Sequence, residues 1–325
     1  MSKRSQQLML LYSIAHSYYI DKLSQNQIAE KENISRSQIS RLLDRAEKIG
    51  IVTINIALPN DPNLTEIAES IQDLLGLREV IVAPIDTTDD TDAVDEVISV
   101  AASRFLSTAL KGTKTVGLGW GNTMYQVSLR LSYRRLASER FYVPLVGMSG
   151  TSNPCLQINN IVDRFAERHH SRGYFVNIPA FRELNEPFSE VEEQRIATLQ
   201  QYWANLDAAV FGLGGPPLSG GMFVEEISDT HVTKLASSGM TGDVLSNFFR
   251  EDGSIYPFEK DYRHLAFDIH KLPKIRKTIC LAGGLEKVQS ILAAARLGYF
   301  NTLVTDSITA KAIYDEFRDG RVRVL

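Results

Sequence analysis

The chain has 325 residues, 44% of them hydrophobic and 23% charged, with a formal net charge of −4. That is enough chain for about two domains with sizeable cores, at an ordinary globular composition. The only two cysteines, Cys155 and Cys280, exclude a disulfide framework, and no Cys/His cluster points to a zinc site, so no metal or cofactor is expected and a reducing cytoplasm fits.

Residues 1 to 19, MSKRSQQLMLLYSIAHSYY, place basic side chains ahead of an apolar stretch. Gln6, Gln7, Tyr12 and His16 interrupt that stretch and no small-residue cleavage pattern follows, so a soluble amphipathic helix is expected rather than a secretion signal. No run of eighteen apolar residues occurs, which excludes a membrane-spanning helix on length.

Residues 24 to 50, SQNQIAEKENISRSQISRLLDRAEKIG, contain one start signal twice. Ser24 with Gln27 and Ser35 with Gln38 match the S-x-x-Q capping box, in which the hydroxyl and the amide reciprocally satisfy backbone donors at a helix start. Ile28, Ala29, Ile34, Ile39, Leu42, Leu43 and Ala46 then form one buried seam around a turn of about three residues, the pattern of a helix-turn-helix. With the seam inward, Arg36, Ser37, Gln38, Ser40 and Arg41 face out at the start of the second helix. Arginine pairs bidentately with guanine, glutamine with adenine, and serine with phosphate or several base edges, so this set suits a major groove. A small helical dimerisation module with a solvated charged face is the competing reading. IVTINI, residues 51 to 56, either adds a strand or wing or belongs to the core.

LPNDPN, Leu58 to Asn63, breaks regular structure and marks a linker, dividing a domain at 1–58 from one at 59–325. The first holds eight Lys/Arg against five Asp/Glu, or +3, which leaves −7 for the remainder. Any polyanion is therefore expected at the basic head alone.

Past the linker, the strand candidates EVIVAP, TKTVGLGW, FYVPLVG, GYFVNIPA, LDAAVFGLGG, KTICLAGG and FNTLVTD alternate with helical stretches such as TDAVDEVISVAASRFLSTAL and LEKVQSILAAARLG. This alternation predicts an α/β domain with a parallel sheet covered on both faces.

Within it, TVGLGWGNTMYQ runs from a β-branched strand through three glycines to a helix start. The amides of such a turn and the helix dipole can hold an anion, and glycines equally admit a close-packed neighbour. No Gly-Lys-Ser/Thr follows for a Walker loop, and GLGWGN lacks the G-x-G-x-x-G spacing. Trp120 either stacks on a sugar ring or closes the pocket floor. Asp243 can be a cap or an acceptor for sugar hydroxyls. Lys287, at the first turn of a helix after ICLAGG, can be solvated or pair with phosphate. His169 and His170 are consecutive and cannot make an i,i+4 metal pair, and GMSGT lacks the nucleophile elbow that would activate Ser149.

The chain resembles the SorC family of sugar-responsive bacterial transcriptional regulators over nearly its whole length. LSQNQIAEKENISRSQISRLLDRAEKIGIVTINI looks like that family's DNA-binding domain, and VGLGWGNTM, GMTGDVLSNFFREDG and KTICLAGGLEKVQSILAAARLGYFNTLVTDSITAKAI like its body. The last stretch is the most specific. The resemblance implies an effector-binding body with a fold like the sugar-phosphate isomerases, assembly as a homo-oligomer (dimer or tetramer), and a phosphorylated sugar or related effector. It places that effector near Gly119, Trp120, Gly121, Asn122, Thr123, Asp243 and Lys287, and less securely Gln157, since GMSGTSNP departs from the family pattern. The expectation is a sequence-specific regulator of a carbohydrate-utilisation operon that binds double-stranded operator DNA, with no membrane partner and no catalysis. An isomerase-type enzyme with an accessory helical dimerisation domain is the alternative, because a carboxylate and a lysine suffice for aldose-ketose chemistry.

Overall fold

The computed structural model describes residues 3–52, 62–87, 90–133, 140–149, 154–217 and 227–318. Two compact units emerge, Met1–Ala57 and Leu58–Leu325. The expected boundary at Leu58, and IVTINI from Thr53 onward, lie outside the described residues.

The first unit contains α1 (Lys3–Tyr19), α2 (Gln25–Glu32) and α3 (Arg36–Lys48). Both capping boxes form. Ser24 N–H donates to Gln27 Oε1 at 2.9 Å and Ser35 N–H to Gln38 Oε1 at 3.0 Å, while the serine hydroxyls accept from the N3 amides. Between the helices Asn33 takes the left-handed conformation at φ 53°, which asparagine tolerates, and Ile34 N–H returns to Ala29 O. Ile28, Ile39, Leu43 and Ala46 are buried, with Ala29, Ile34 and Leu42 packed against them. Leu11, Ile14 and Ala15 of α1 complete this core, making α1 the third leg of the unit. The amphipathic expectation for α1 holds on that face only: Leu8, Met9 and Tyr12 are exposed on the other. Ile51 and Val52 pack on the head core and donate their amides to Ala46 O, so that part of the apolar run belongs to the interior.

The second unit is a mixed α/β fold around a mostly parallel sheet. In chain order it runs α4 (Pro62–Leu74), β1 (Glu79–Ala83), α5 (Thr91–Ala109), β2 (Thr115–Leu118), α6 (Asn122–Arg130), β3 (Phe141–Pro144), α7 (Ile158–Arg168) and β4 (Arg172–Gly173). There follow β5 (Phe181–Glu183), α8 (Glu190–Trp203), β6 (Ala208–Gly214), α9 (Asp229–Ala236), β7 (Gly242–Val244), β8 (Asn247–Phe249) and β9 (Tyr262–His264). The chain closes with β10 (Lys277–Leu281), α10 (Val288–Arg296), β11 (Thr302–Asp306) and α11 (Ser307–Arg318). The main sheet has the order β1-β11-β10-β6-β2-β3-β4, every neighbouring pair parallel.

Alternate residues of each strand face opposite layers. Val210, Ile279, Leu281 and Val304 join one core with Val94, Ile98 and Leu106 of α5. Phe211, Cys280 and Leu303 join the other with Ile71 of α4, Ile291 of α10 and Ile313 of α11. Strands buried on both faces read as continuous apolar runs, which is why they stand out in the sequence. From β2 the chain winds outward to β3 and β4, then returns to lay β6 on the other side of β2. The switch in winding direction therefore lies between β2 and β6, and the crevice beyond their carboxyl ends is where ligands collect in such sheets.

Two elements differ from expectation. GYFVNIPA is strand only at its start, because Asn159 of α7 takes over the backbone of Val176, accepting its N–H at 3.0 Å and donating to its C=O at 2.8 Å. Lys287 ends a short 3-10 turn, Leu285–Lys287, and serves as the N-cap of α10 rather than sitting in its first turn.

Candidate functional site

The crevice at the switch point is a cavity of about 270 Å³, close to the size of small-metabolite sites. Its walls come from the turn after β2 (Trp120 to Thr123), the segment after β6 (Gly212 to Pro217), Asp243, Leu245, Ser246 and Phe248 from the β7–β8 region, Lys287, and Asp95 of α5. Six of the eight residues expected to meet an effector thus line one cavity. Gly119 and Gln157 do not. Gly119 donates its amide to Val210 O at 2.8 Å, and a Cβ there would stand 2.8 Å from Phe211 Cβ, so this glycine serves strand packing. Gln157 is the N-cap of α7 and its side-chain amide donates to Ser149 O.

Gly121, the N-cap of α6, has φ 109°, a conformation L side chains rarely adopt. No side chain caps the helix, so the amides of its first turn are left to water or a ligand. The side chains of Asn122 and Thr123 are already engaged. Asn122 Nδ2 donates to Asp95 Oδ2 at 2.7 Å, and Thr123 Oγ1 to Asp95 Oδ1 at 2.5 Å.

Lys287 is positioned from beneath. Asp306, fully buried at the end of β11, accepts from Gly284 N–H, Ile308 N–H, Thr309 N–H and Thr309 Oγ1. Thr309 Oγ1 in turn accepts from Gly284 N–H at 2.7 Å, and Gly284 O accepts from Lys287 N–H at 3.0 Å. A Cβ on Gly283 would strike Asp306 Oδ2 and Ile98, so glycine at that position lets α5 approach the turn.

Opposite Lys287, Asp243 pairs with Gly214 in the β6–β7 ladder, and a Cβ on Gly214 would collide with its carboxylate. Desolvation pushes the Asp243 carboxyl up to about 6, against the opposing pull of the Ser246 amide and the Lys287 ammonium. The β7–β8 hairpin turns through Leu245 and Ser246, both left-handed at φ 53° and 60°, the geometry of a type I′ turn. Leucine is a costly residue there. Asn247 holds the turn by donating to Val244 O, Leu245 O and Phe267 O. Below it, Ser246 Oγ lies 2.9 Å from Nε2 of His264, whose burial lowers its pKa to about 4.

Residues 62–315 match the family model described as "Putative sugar-binding domain". The chain is 28% identical to the sorbitol operon regulator of Klebsiella pneumoniae, over 96% of this chain and 99% of that one. It is 27% identical to the deoxyribonucleoside regulator of Bacillus subtilis, over 97% and 100%. The crystal structure of the full-length Klebsiella regulator, SorC, superposes with a TM-score of 0.67 at 26% identity, covering 94% of this chain and 98% of that one. The chain belongs to the SorC family of sugar-binding bacterial transcriptional regulators. These relatives carry the names of regulators, none of them the name of an enzyme.

In this SorC-family chain, sequence reasoning misses Asp95, the segment at 212–217 and the Leu245–Ser246 turn. Asp95 does carry a signal. With Ser99 and Ser103 it forms a buried polar stripe at four-residue spacing on α5, where small side chains let α6 approach. The glycines of LDAAVFGLGG are visible in the sequence, where they mark only the end of a strand.

In the head, Arg36, Ser37, Gln38 and Arg41 are exposed and Ser40 is half-buried. Gln38 Oε1 accepts from both Ser35 N–H and Ser35 Oγ, and Ser37 Oγ lies 3.0 Å from Ser35 Oγ. While the cap holds, Gln38 has only its amide hydrogens to offer, which rules out the bidentate adenine contact, and the two arginines keep the full donor set. Among the described residues, no group of three or more His, Cys, Asp or Glu could hold a metal ion, and no helix is long and apolar enough to cross a membrane.

Proposed function

We propose that this protein binds operator DNA sequence-specifically in the cytoplasm, and that a phosphorylated sugar changes its operator affinity for a carbohydrate-utilisation operon. The observation that carries the reading is the switch-point cavity, where one ammonium, one carboxylate of raised pKa and an uncapped helix start converge. The phosphate meets Lys287, sugar hydroxyls meet Asp243, and the α6 amides meet a further oxygen of the ligand. Residues 1–58 are the DNA-binding domain and 59–325 the effector-binding and oligomerisation domain. Arg36 and Arg41 read base edges, with Ser37, Gln38 and Ser40 contacting phosphate or base edges beside them.

One such head buries too little surface for tight specific binding, so the working form is a homo-oligomer placing two heads on half-sites about 34 Å apart or a multiple of that. Names among the relatives, a sorbitol operon regulator and a deoxyribonucleoside regulator, support a sugar-type effector.

The test is an anisotropy titration with duplex from upstream of the gene, with and without a panel of sugar phosphates. Specific, salt-sensitive binding altered by one member is expected, and Lys287→Ala should keep the DNA affinity while losing that response. No preference over random duplex, or turnover of a sugar phosphate, overturns the reading.

A further inference from the structure

The cavity wall carries a carboxyl side chain that an anion-binding corner does not need. Asp95 is 6% exposed, and both carboxylate oxygens accept short hydrogen bonds from Asn122 and Thr123, the first two residues of α6. Those are the side chains a phosphate would otherwise recruit at this helix start. Their tie is stiffened one residue on, where Glu96 pairs with Arg130 at the far end of α6 at 3.1 Å. Among the described residues no lysine or arginine pairs with Asp95, and Lys287 is the only basic residue among the described cavity walls, against Asp95 and Asp243. The uncapped amides of α6 attract an anion while the carboxylate beside them repels its second charge.

We propose that Asp95 is a specificity-determining residue that selects effectors by charge. Its carboxylate lowers the affinity of the α6 corner for a doubly charged group, admits a hydroxyl or a singly charged oxygen more readily, and turns the doubly charged end of a ligand toward Lys287. The inference rests on the cavity being the effector site.

The experiment compares the full-length protein with Asp95→Asn, and with Asp95→Ser should the amide variant fold poorly. Two tetrahedral probes, sulfate with two charges and methyl sulfate with one, are titrated by calorimetry at fixed ionic strength. Removing the carboxylate should tighten sulfate by about tenfold and methyl sulfate by clearly less. A carboxylate that merely ties α5 to α6 would, when removed, weaken both probes alike, and that result overturns the proposal. So does equal tightening of both, or no sulfate binding by either variant. Operator binding is measured on the same preparations: its loss in the unaltered protein counts against the regulator reading alone, while an unchanged sulfate affinity with operator binding intact counts against the role of Asp95 alone.

Discussion

The head and the body carry their candidate residues in opposite ways. In the head, all five groove-facing candidates fall between Arg36 and Arg41, on one helix start set by a capping box four residues long. In the body, the cavity draws on residues 95, 120–123, 212–217, 243–248 and 287, which only the winding of the sheet brings together. A head residue can therefore be altered with local consequences. A body residue at the cavity couples binding to the stability of several elements.

The largest expected effect breaks the head alone. Replacing Arg36 and Arg41 together by alanine removes two donor forks at about 1–3 kcal/mol each, so specific operator affinity should fall by roughly a hundredfold or more. Effector affinity and the melting of the body should stay as they were. Anisotropy with operator and random duplex, alongside calorimetry with the effector, checks both halves. A loss of effector binding in this variant would contradict the separation of the two regions.

A smaller effect shows the opposite coupling in the body. Burial lifts Asp243 from 3.8 to about 6, so between those pH values the folded chain holds a proton that the unfolded chain has released. The contribution of this group to stability is therefore greatest below about 4 and declines as pH rises through 6. Asp243→Asn should stabilise the body by up to about 3 kcal/mol at pH 8, with no gain at pH 4, while weakening effector binding. His264 acts in the other direction. Its pKa is lowered from 6.5 to about 4, so its contribution is present above 6.5 and is lost as pH falls through 4. Denaturant midpoints at pH 4, 6 and 8 separate the two, and a pH-independent difference for Asp243→Asn would show that burial does not govern this carboxyl.

The same contrast decides how much of each region is legible in the sequence. Ser24 with Gln27 and Ser35 with Gln38 announce two helices because capping is chemistry between near neighbours. The apolar runs of β1, β2, β3, β6, β10 and β11 announce strands because a parallel sheet is buried on both faces. GYFVNIPA misleads because its backbone partner is a side chain, Asn159, on a preceding helix. The Leu245–Ser246 turn carries neither of the Asn-Gly signals of a type I′ hairpin, since Asn247 and Phe267 hold it from outside the turn. Trp120, Gly121, Asn122, Thr123, Asp243 and Lys287 are visible as cavity candidates, whereas the ties of Asn122 and Thr123 to Asp95 are tertiary.

The smallest effect tests how local the head is. Ser35 supplies the hydroxyl that accepts from Gln38 N–H and donates to Gln38 Oε1, so Ser35→Ala removes those two bonds and keeps the one from the backbone N–H of residue 35 to Gln38 Oε1. Loss of a serine cap costs about 1 kcal/mol. Hydrogen exchange should show faster opening of α3 by about fivefold, a change confined to residues 3–52, with the body peptides unmoved. Operator affinity should fall modestly, because Arg36 sits on the frayed turn while Arg41 lies a full turn deeper. The lone pair of Gln38 Oε1 released from Ser35 Oγ can then complete a bidentate contact with adenine, so the variant should bind more weakly yet discriminate more sharply at one A·T position. A uniform loss across all sites would mean that Gln38 works only as a cap.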